Sequence, residues 1–333
     1  MKKFIKNIAI LGDGGWGTTL AVCLANKNYH VTLWGAFPEY CREISASREN
    51  LKFLPGIKIP QDVIISGDLE TAVNGCDLIV LAIPSQFCAN VIRRLKPFDL
   101  SKKIVLSVIK GIEEKTLVRV SQIIKKELGR VRLAVLSGPT IAREVALGIP
   151  STAVIASGDI KIAKSLQAVF HSETFRIYTS TDIAGVELGG SIKNVIAIAC
   201  GVCDGLGFGT NTKAAILSRG LAEMTRLATA MGAKSKTLFG LSGLGDLVTT
   251  CFNEKSRNRS VGEALGSGKT IQEITGATDM IAEGVTTVKA IYALSKRYKA
   301  AMPITTEVYN IIYKNKAPIQ AVKDLMNRAL KAE

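Results

Sequence analysis

Gly12, Gly14 and Gly17 stand in a G-x-G-x-x-G spacing directly behind the apolar run Ile8-Ala9-Ile10-Leu11. Alone the spacing says little. Placed after a strand-like run and at the opening of a helix-like one, it marks a loop that cradles a dinucleotide pyrophosphate. The first glycine permits a tight turn, the second lets phosphates reach the backbone, and the third lets the helix pack on the strand. The free N–H groups of that helix terminus then face the phosphates. The choice between NAD and NADP stays open. The second strand-like run ends in Trp34-Gly35-Ala36-Phe37, with neither an acid for a ribose 2′-hydroxyl nor an arginine for a 2′-phosphate, and Glu39 and Arg42 are the nearest of each kind.

Other residues are candidates for the chemistry itself. Ligands of open α/β sheets sit beyond the carboxyl ends of the strands. Lys110 ends the run IVLSVI, and Gly138-Pro139-Thr140 follows the run LAVL. Lys193 interrupts an apolar helical pattern, SIKNVIAIACG, and either snorkels to solvent or is held in a polar cleft. Asn194 beside it is either a surface residue or a ligand-fixing one. A lysine held beside a second cation loses its proton more readily and can exchange it near neutral pH. Asp246, in GLSGLGDLVTTC, is placed either to orient a lysine or to cap a helix. Ser256-Arg257-Asn258 offers a guanidinium fork and two neutral donors, a set suited to a phosphate dianion and equally to a solvated turn.

Several patterns carry no chemistry. Cys200 and Cys203 form a C-x-x-C, but IAIACGVCDG around them reads as a small-residue helix face, and no second cysteine pair completes a zinc site. The seven cysteines read as reduced, buried thiols. Gly268-Lys269-Thr270 mimics the end of a phosphate-binding P-loop, yet the required first glycine falls on Glu263. His30 and His171 lack the partner spacing of a metal site or a triad. No metal is expected.

The elements that must position these residues change character along the chain. Up to about residue 180, short β-branched runs alternate with helical patterns. The strand-like runs are Lys6–Leu11, His30–Trp34, Asp77–Ile83, Lys103–Ile109, Val131–Leu136, Thr152–Ala156 and Phe175–Tyr178; Thr18–Asn26 and Gln86–Leu95 read as helices. This predicts an α/β fold: a Rossmann-type, doubly wound parallel sheet covered by helices on both faces. From about Ile183 the texture is helical. The expected domains are 1–180, dinucleotide-binding, and 181–333, mostly α-helical and substrate-binding, with the ligand in the cleft between them.

The 333 residues, 47% of them hydrophobic, supply ample core for two domains. The apolar run after Met1-Lys2-Lys3 is too short for a signal peptide, and no uninterrupted apolar stretch approaches ~18 residues, so a cytoplasmic protein without a membrane span is expected. The net charge is +15, from 43 basic and 28 acidic residues. It reads as a solvated surface, as attraction of anionic ligands toward a cleft, or as binding to nucleic acid or anionic lipid; without a compact basic block or aromatic-interleaved stripe, nucleic acid ranks last.

Taken together the motifs GDGGWGTTLA, VTLWG, VLAIPS, SVIKGIE, LSGPTIAREV, GVELGGSIKNVIAIACGVCDGLGFGTNTKAAILSRGLAEM, GLSGLGDLVTTC, SRNRSVG and MIAEGVTT resemble the bacterial-type NAD(P)-dependent glycerol-3-phosphate dehydrogenases. The resemblance runs from about residue 7 to residue 310. It implies an oxidoreductase that interconverts dihydroxyacetone phosphate and sn-glycerol 3-phosphate and supplies the latter for phospholipid synthesis. By the same resemblance Gly15 and Trp16 lie against the cofactor, Lys110 touches cofactor and substrate, and Gly138 and Thr140 line the substrate pocket with Ala142 near the cofactor. Lys193 is the implied acid–base. Asp246 helps hold Lys193 and the substrate hydroxyls. Ser256, Arg257 and Asn258 grip the substrate, Arg257 also reaches the cofactor, and Glu283 contacts the cofactor. A homodimer is the family expectation. One position departs: where members often read W-G-R-D or W-G-H-D, this chain has Ala36, so the basic contact to an adenosine phosphate is missing. A hydroxy-acid dehydrogenase, a silent dinucleotide sensor and a basic nucleic-acid-binding protein are the competing readings.

Overall fold

The computed structural model describes residues 5–276, 282–330 and 332. Met1 to Phe4, read above as part of the N-terminal run, and Met280 and Ile281 of the MIAEGVTT motif lie outside the described residues. The chain divides into two compact units. The first is Met1–Ile109 with Val120–Val186, and the second is Lys110–Arg119 with Glu187–Glu333.

The first unit holds one sheet of eight strands: β1 (Asn7–Leu11), β2 (His30–Trp34), β3 (Ile64–Ser66), β4 (Leu78–Leu81), β5 (Ile104–Ser107), β6 (Arg132–Ser137), β7 (Ser151–Ser157) and β8 (Phe175–Ser180). Their spatial order is β3-β2-β1-β4-β5-β6-β7-β8. From β3 through β6 all neighbours are parallel. That order, 3-2-1-4-5-6, is the one found in doubly wound dinucleotide-binding folds. β4 and β5 are buried along their whole length, as strands covered on both faces must be, which is why LIVL and IVLS read as continuous apolar runs.

Two features depart from the sequence expectation. β7 runs antiparallel to β6, and β8 runs parallel to β7, so the sheet is mostly rather than wholly parallel. The connection after β6 explains the reversal. Its helix, Ala142–Ala146, docks on α1 (Gly15–Ala25), where the Thr19 hydroxyl donates to the Ala142 carbonyl at 2.9 Å. The chain thus stays at the end where β6 finishes and re-enters the sheet from there. The second departure is β3 and the helix before it, α2 (Pro38–Ser47), which occupy a stretch that reads as irregular. β3 is a three-residue edge strand, too short to show a period.

In the second unit the described residues from Glu187 onward form helices and their connections, while Lys110–Arg119 is irregular, with an isolated antiparallel bridge between Ile112 and Arg119. Ile183–Gly205 enters it from the first unit, is mostly apolar, and is long and apolar enough to cross a membrane; its apolar window is wholly buried within the protein. Small residues on this helix admit another backbone at close range. A Cβ on Gly201 would stand 2.0 Å from the Arg259 carbonyl oxygen, and one on Gly262 would stand 2.0 Å from that of Ile198. The helix Arg257–Gly266 therefore lies directly on Ile183–Gly205. Cys200 and Cys203 belong to this buried face, and burial pushes the Cys203 thiol up to about 12. Thr270, at the end of the P-loop mimic, forms a capping box instead: its backbone N–H donates to Glu273 at 2.7 Å and its hydroxyl accepts from the Glu273 N–H at 3.3 Å.

Candidate active site

In the first unit the glycine loop has the shape its spacing predicts. Gly12 takes a φ of +123°, and a Cβ there would meet the Ala82 carbonyl oxygen at 2.5 Å. A Cβ on Gly17 would stand 1.9 Å from the Gly12 oxygen, so only glycine lets α1 sit this close to the loop. At Gly14 a Cβ would meet nothing within 4 Å. This backbone faces open space at the N-terminus of α1, and no side chain caps the helix. The loop is fastened from both sides. The Gly12 N–H donates to the Trp34 carbonyl at 2.9 Å, and Asn50 Nδ2 donates to the Asp13 carbonyl and to Thr18 Oγ1, each at 2.7 Å. The Tyr40 hydroxyl holds Asn50 in turn at 2.6 Å.

Two buried polar atoms border this loop without a hydrogen-bond partner: Asp13 Oδ2 and Trp16 Nε1. Orphaned buried polar atoms beside an open, uncapped helix terminus fit a polar ligand with donors and acceptors, and a dinucleotide has both. Trp16 is turned edge-on to Phe175, with centroids 6.3 Å apart. Ala142 lies beside Gly15, its methyl 3.9 Å from where a Gly15 Cβ would be. Gly138, at the end of β6, has a φ of +154°, and Thr140 folds its hydroxyl back onto the Gly138 carbonyl at 3.2 Å.

The second unit brings together residues that lie far apart in sequence. Lys110 Nζ is 2.7 Å from Asp246 Oδ2, and Lys193 Nζ is 2.9 Å from Asp246 Oδ1. One carboxylate thus bridges two ammonium groups. Lys193 also donates to the Thr250 hydroxyl, which donates to the Asp246 carbonyl at 2.7 Å. Asp246 opens the helix Asp246–Phe252, so Thr250 stands one turn on, on the same face. The helix Ile183–Gly205 is held close on both sides of Lys193. A Cβ on Gly189 would stand 2.3 Å from the Ser242 oxygen, and Gly201 meets the helix Arg257–Gly266 as described above. Close backbone approach at Gly189 sets the distance from Lys193 to the Asp246 turn.

Only 2% of the Asp246 side chain and 7% of that of Lys193 are exposed, against 18% for Lys110. Burial lowers the Lys110 pKa, Asp246 draws it part of the way back, and Lys193 lowers it again, so Lys110 sits below the ordinary lysine value. For Asp246 burial alone would raise the carboxyl, but the two ammonium groups outweigh it and hold it below the usual carboxylate range. With all three ionised, the cluster carries a net charge of about +1 in a water-poor setting, where charge acts more strongly than in bulk solvent.

The S-R-N motif divides. Ser256 caps the helix Arg257–Gly266 through its hydroxyl, which accepts from the Arg259 N–H at 3.4 Å. Asn258 is buried, and its Oδ1 accepts from the Gly284 N–H at 2.9 Å, which ties the motif to the residue after Glu283. Arg257 is exposed at the first position of the helix. Glu283 opens the helix Glu283–Arg297, and its charge acts on Lys110. Thr250 and Arg259 were not singled out from the sequence. The i, i+4 spacing from Asp246 was the available signal for Thr250. Arg259 Nε bonds Asp204 at 2.6 Å, and no local pattern announces that pair. Among the described residues no group of three or more His, Cys, Asp or Glu side chains is placed to hold a metal.

A doubly wound sheet with an open glycine loop, in a chain that also holds a buried lysine–carboxylate–lysine cluster, points to a dinucleotide-dependent oxidoreductase. Comparison with known proteins narrows the class. The profile of the NAD-dependent glycerol-3-phosphate dehydrogenase N-terminus matches residues 7–163, and that of the C-terminus of the same family matches residues 182–323. A glycerol-3-phosphate dehydrogenase [NAD(P)+] of Chlorobium phaeobacteroides is 47% identical over 329 residues, 98% of either chain. That of Citrifermentans bemidjiense is 48% identical over 331 residues, covering 98% of this chain and 99% of its own. The crystal structure of glycerol-3-phosphate dehydrogenase from Coxiella burnetii superposes with a TM-score of 0.94 at 39% identity, covering 98% of this chain and all of its own. The chain belongs to the NAD-dependent glycerol-3-phosphate dehydrogenase family.

Proposed function

We propose that this chain is an NAD(P)-dependent glycerol-3-phosphate dehydrogenase, interconverting dihydroxyacetone phosphate and sn-glycerol 3-phosphate. The observation that carries the reading is the bridging of Lys110 and Lys193 by Asp246. The bound nicotinamide supplies or accepts the hydride at its C4. The protein's own groups do the rest. In the reducing direction Lys193 Nζ gives a proton to the C2 oxygen as hydride reaches C2; in the oxidising direction it takes that proton back. Two of its N–H groups are committed to Asp246 Oδ1 and Thr250 Oγ1, which aim the ammonium, and we assign the third to the substrate oxygen. Lys110 adds a second positive charge where oxyanion character develops at C2. Asp246 keeps both lysines in place and faces the substrate hydroxyls.

Arg257, exposed and planar, grips the phosphate, with Ser256 and Asn258 beside it. Holding a remote phosphate spends binding energy on orienting the reacting carbon. Gly12, Gly14, Gly15, Trp16 and Gly17 hold the dinucleotide, with Ala142, Lys110, Arg257 and Glu283 completing its contacts, and Gly138 and Thr140 line the substrate pocket. We assign residues 1–180 to the dinucleotide and 181–333 to the substrate. The helix Ile183–Gly205 is read as a core helix, and the enzyme as a cytoplasmic homodimer whose product feeds phospholipid synthesis.

The test is oxidation of NADH and of NADPH by the purified protein with dihydroxyacetone phosphate as acceptor. Rapid oxidation that depends on this acceptor is expected. Folded protein that oxidises neither cofactor would overturn the reading and favour a dinucleotide sensor.

A further inference from the structure

We propose that Asp13, in the first variable position of the glycine loop, takes over the reading of the adenosine ribose that other dinucleotide folds give to an acid at the end of the second strand, and so makes this chain select NAD(H) over NADP(H). The inference rests on the dinucleotide reading above and extends it to the cofactor's identity.

The argument begins with what is missing. Doubly wound folds that prefer NAD place an Asp or Glu at the end of β2, where its carboxylate accepts from the ribose 2′-hydroxyl. Here β2 ends at Trp34, and Gly35, Ala36 and Phe37 follow. The nearest acid in sequence, Glu39, is paired with Arg42 at 3.2 Å, and both side chains are largely exposed. No acidic side chain stands at residues 35–37, directly after β2.

Asp13 supplies one from the other side. A Cβ built on Gly35 would stand 2.3 Å from Asp13 Oδ2 and 2.6 Å from Cys41 Sγ. The carboxylate is therefore laid directly on the backbone that follows β2, so a side chain on residue 35 would displace it. The Asp13 backbone cannot drift: its carbonyl accepts from Asn50 Nδ2 at 2.7 Å, and the turn is tied to Trp34 through the Gly12 N–H at 2.9 Å. The residue as a whole is only half-buried, and the Gly14 backbone beside it faces open space.

The carboxylate's own state points to a ligand. Asp13 Oδ2 is buried and has no hydrogen-bond partner. A buried acceptor left unsatisfied costs stability and calls for a reason. Burial raises the Asp13 pKa, and a hydrogen bond from the residue's own backbone offsets only part of the rise. A ribose diol brings two O–H donors to such a group. A 2′-phosphate brings two negative charges and no donor, and Gly35, Ala36 and Phe37 put no basic residue directly after β2 to offset them. Repulsion of the wrong cofactor and attraction of the right one then come from the same side chain.

The experiment measures dissociation constants for NADH and NADPH by fluorescence titration of the full-length protein, beside kcat/KM for each cofactor with dihydroxyacetone phosphate. The unmodified protein should bind NADH more tightly by about tenfold or more. Asp13→Ala should weaken NADH by about 10- to 100-fold, the range of a charge-assisted hydrogen bond. Asp13→Asn, which keeps the shape and removes the charge, should bind NADPH more tightly than the unmodified protein does. A residue that only shapes the loop would not improve the binding of either cofactor. Preference for NADPH in the unmodified protein, or equal losses for both cofactors in both variants, would overturn the proposal. Binding of NADH without turnover of dihydroxyacetone phosphate would sink the substrate assignment and leave this inference standing; binding of neither would remove both.

Discussion

Asp246 is the residue that joins the two lysines of the second unit's buried cluster. It is almost completely buried and bonds both Lys110 and Lys193. A buried charge survives only when paired, and here one acid serves two bases, so the pair keeps a positive excess for an anionic substrate. Lys193→Ala should lower kcat by about 10²- to 10⁴-fold, the usual worth of a positioned acid–base, while the NADH dissociation constant stays unchanged; single-turnover kinetics and fluorescence titration separate the two. The pH dependence follows from the neighbouring groups. Lys110 has a folded pKa below its unfolded one. As pH rises through the folded value, Lys110 loses its charge, so kcat/KM should fall at a lower pH than an unperturbed lysine would give. Across that same window the unfolded chain binds the extra proton, so the contribution of Lys110 to stability increases with pH. Asp246 behaves oppositely: its folded pKa is depressed, and its stabilising contribution is present above the unfolded value and lost as pH falls through the folded one. A pH–rate profile, with urea unfolding at each pH, checks both directions. Lys193 and Asp246 each had two readings as isolated residues. Their mutual distance, across 53 positions of sequence, removes the bland one.

At the scale of elements, the glycine loop shows how one motif serves two physical ends. Gly17 is needed for packing, because a Cβ there would collide with the Gly12 carbonyl oxygen. Gly14 is not, because a Cβ there meets no protein atom within 4 Å. Gly17→Ala should therefore cost about 1–3 kcal/mol of stability and weaken the cofactor as well. Gly14→Ala should leave the melting temperature nearly unchanged and weaken the cofactor about tenfold or more, since the methyl group occupies the ligand's side of the backbone. Thermal unfolding beside NADH titration distinguishes them, and a stability loss in Gly14→Ala as large as in Gly17→Ala would contradict this division. The strands of this unit were legible because buried parallel strands are short apolar runs between turn residues. β3 was not, having three residues at a sheet edge, and neither was the direction of β7. Direction depends on where the preceding helix docks, a contact between Ala142 and Thr19 that lies 123 positions apart.

The whole molecule carries a net charge of +15, and its substrate is proposed to be an anion. If that charge steers the substrate, kcat/KM for dihydroxyacetone phosphate should fall by about threefold or more between low salt and ~0.15 M, with kcat little changed. Initial rates over a salt series provide the check, and salt-independent kcat/KM would assign the charge to the solvated surface alone. Sequence by itself determined most strands of the first unit in their chain order, the glycine loop, the change to helices after residue 180, and, through many motifs in register, the family. These are local or linear properties: periodicity, glycine spacing and chain order are complete within a window. Tertiary structure alone decided that Lys110–Arg119 belongs with the helical unit, that Asp246 bridges Lys110 and Lys193, that Thr250 joins them, and that Asp13 lies against the end of β2. Each of these depends on backbones brought close by residues remote in sequence, where burial, charge and distance act together and no one stretch of chain records the outcome.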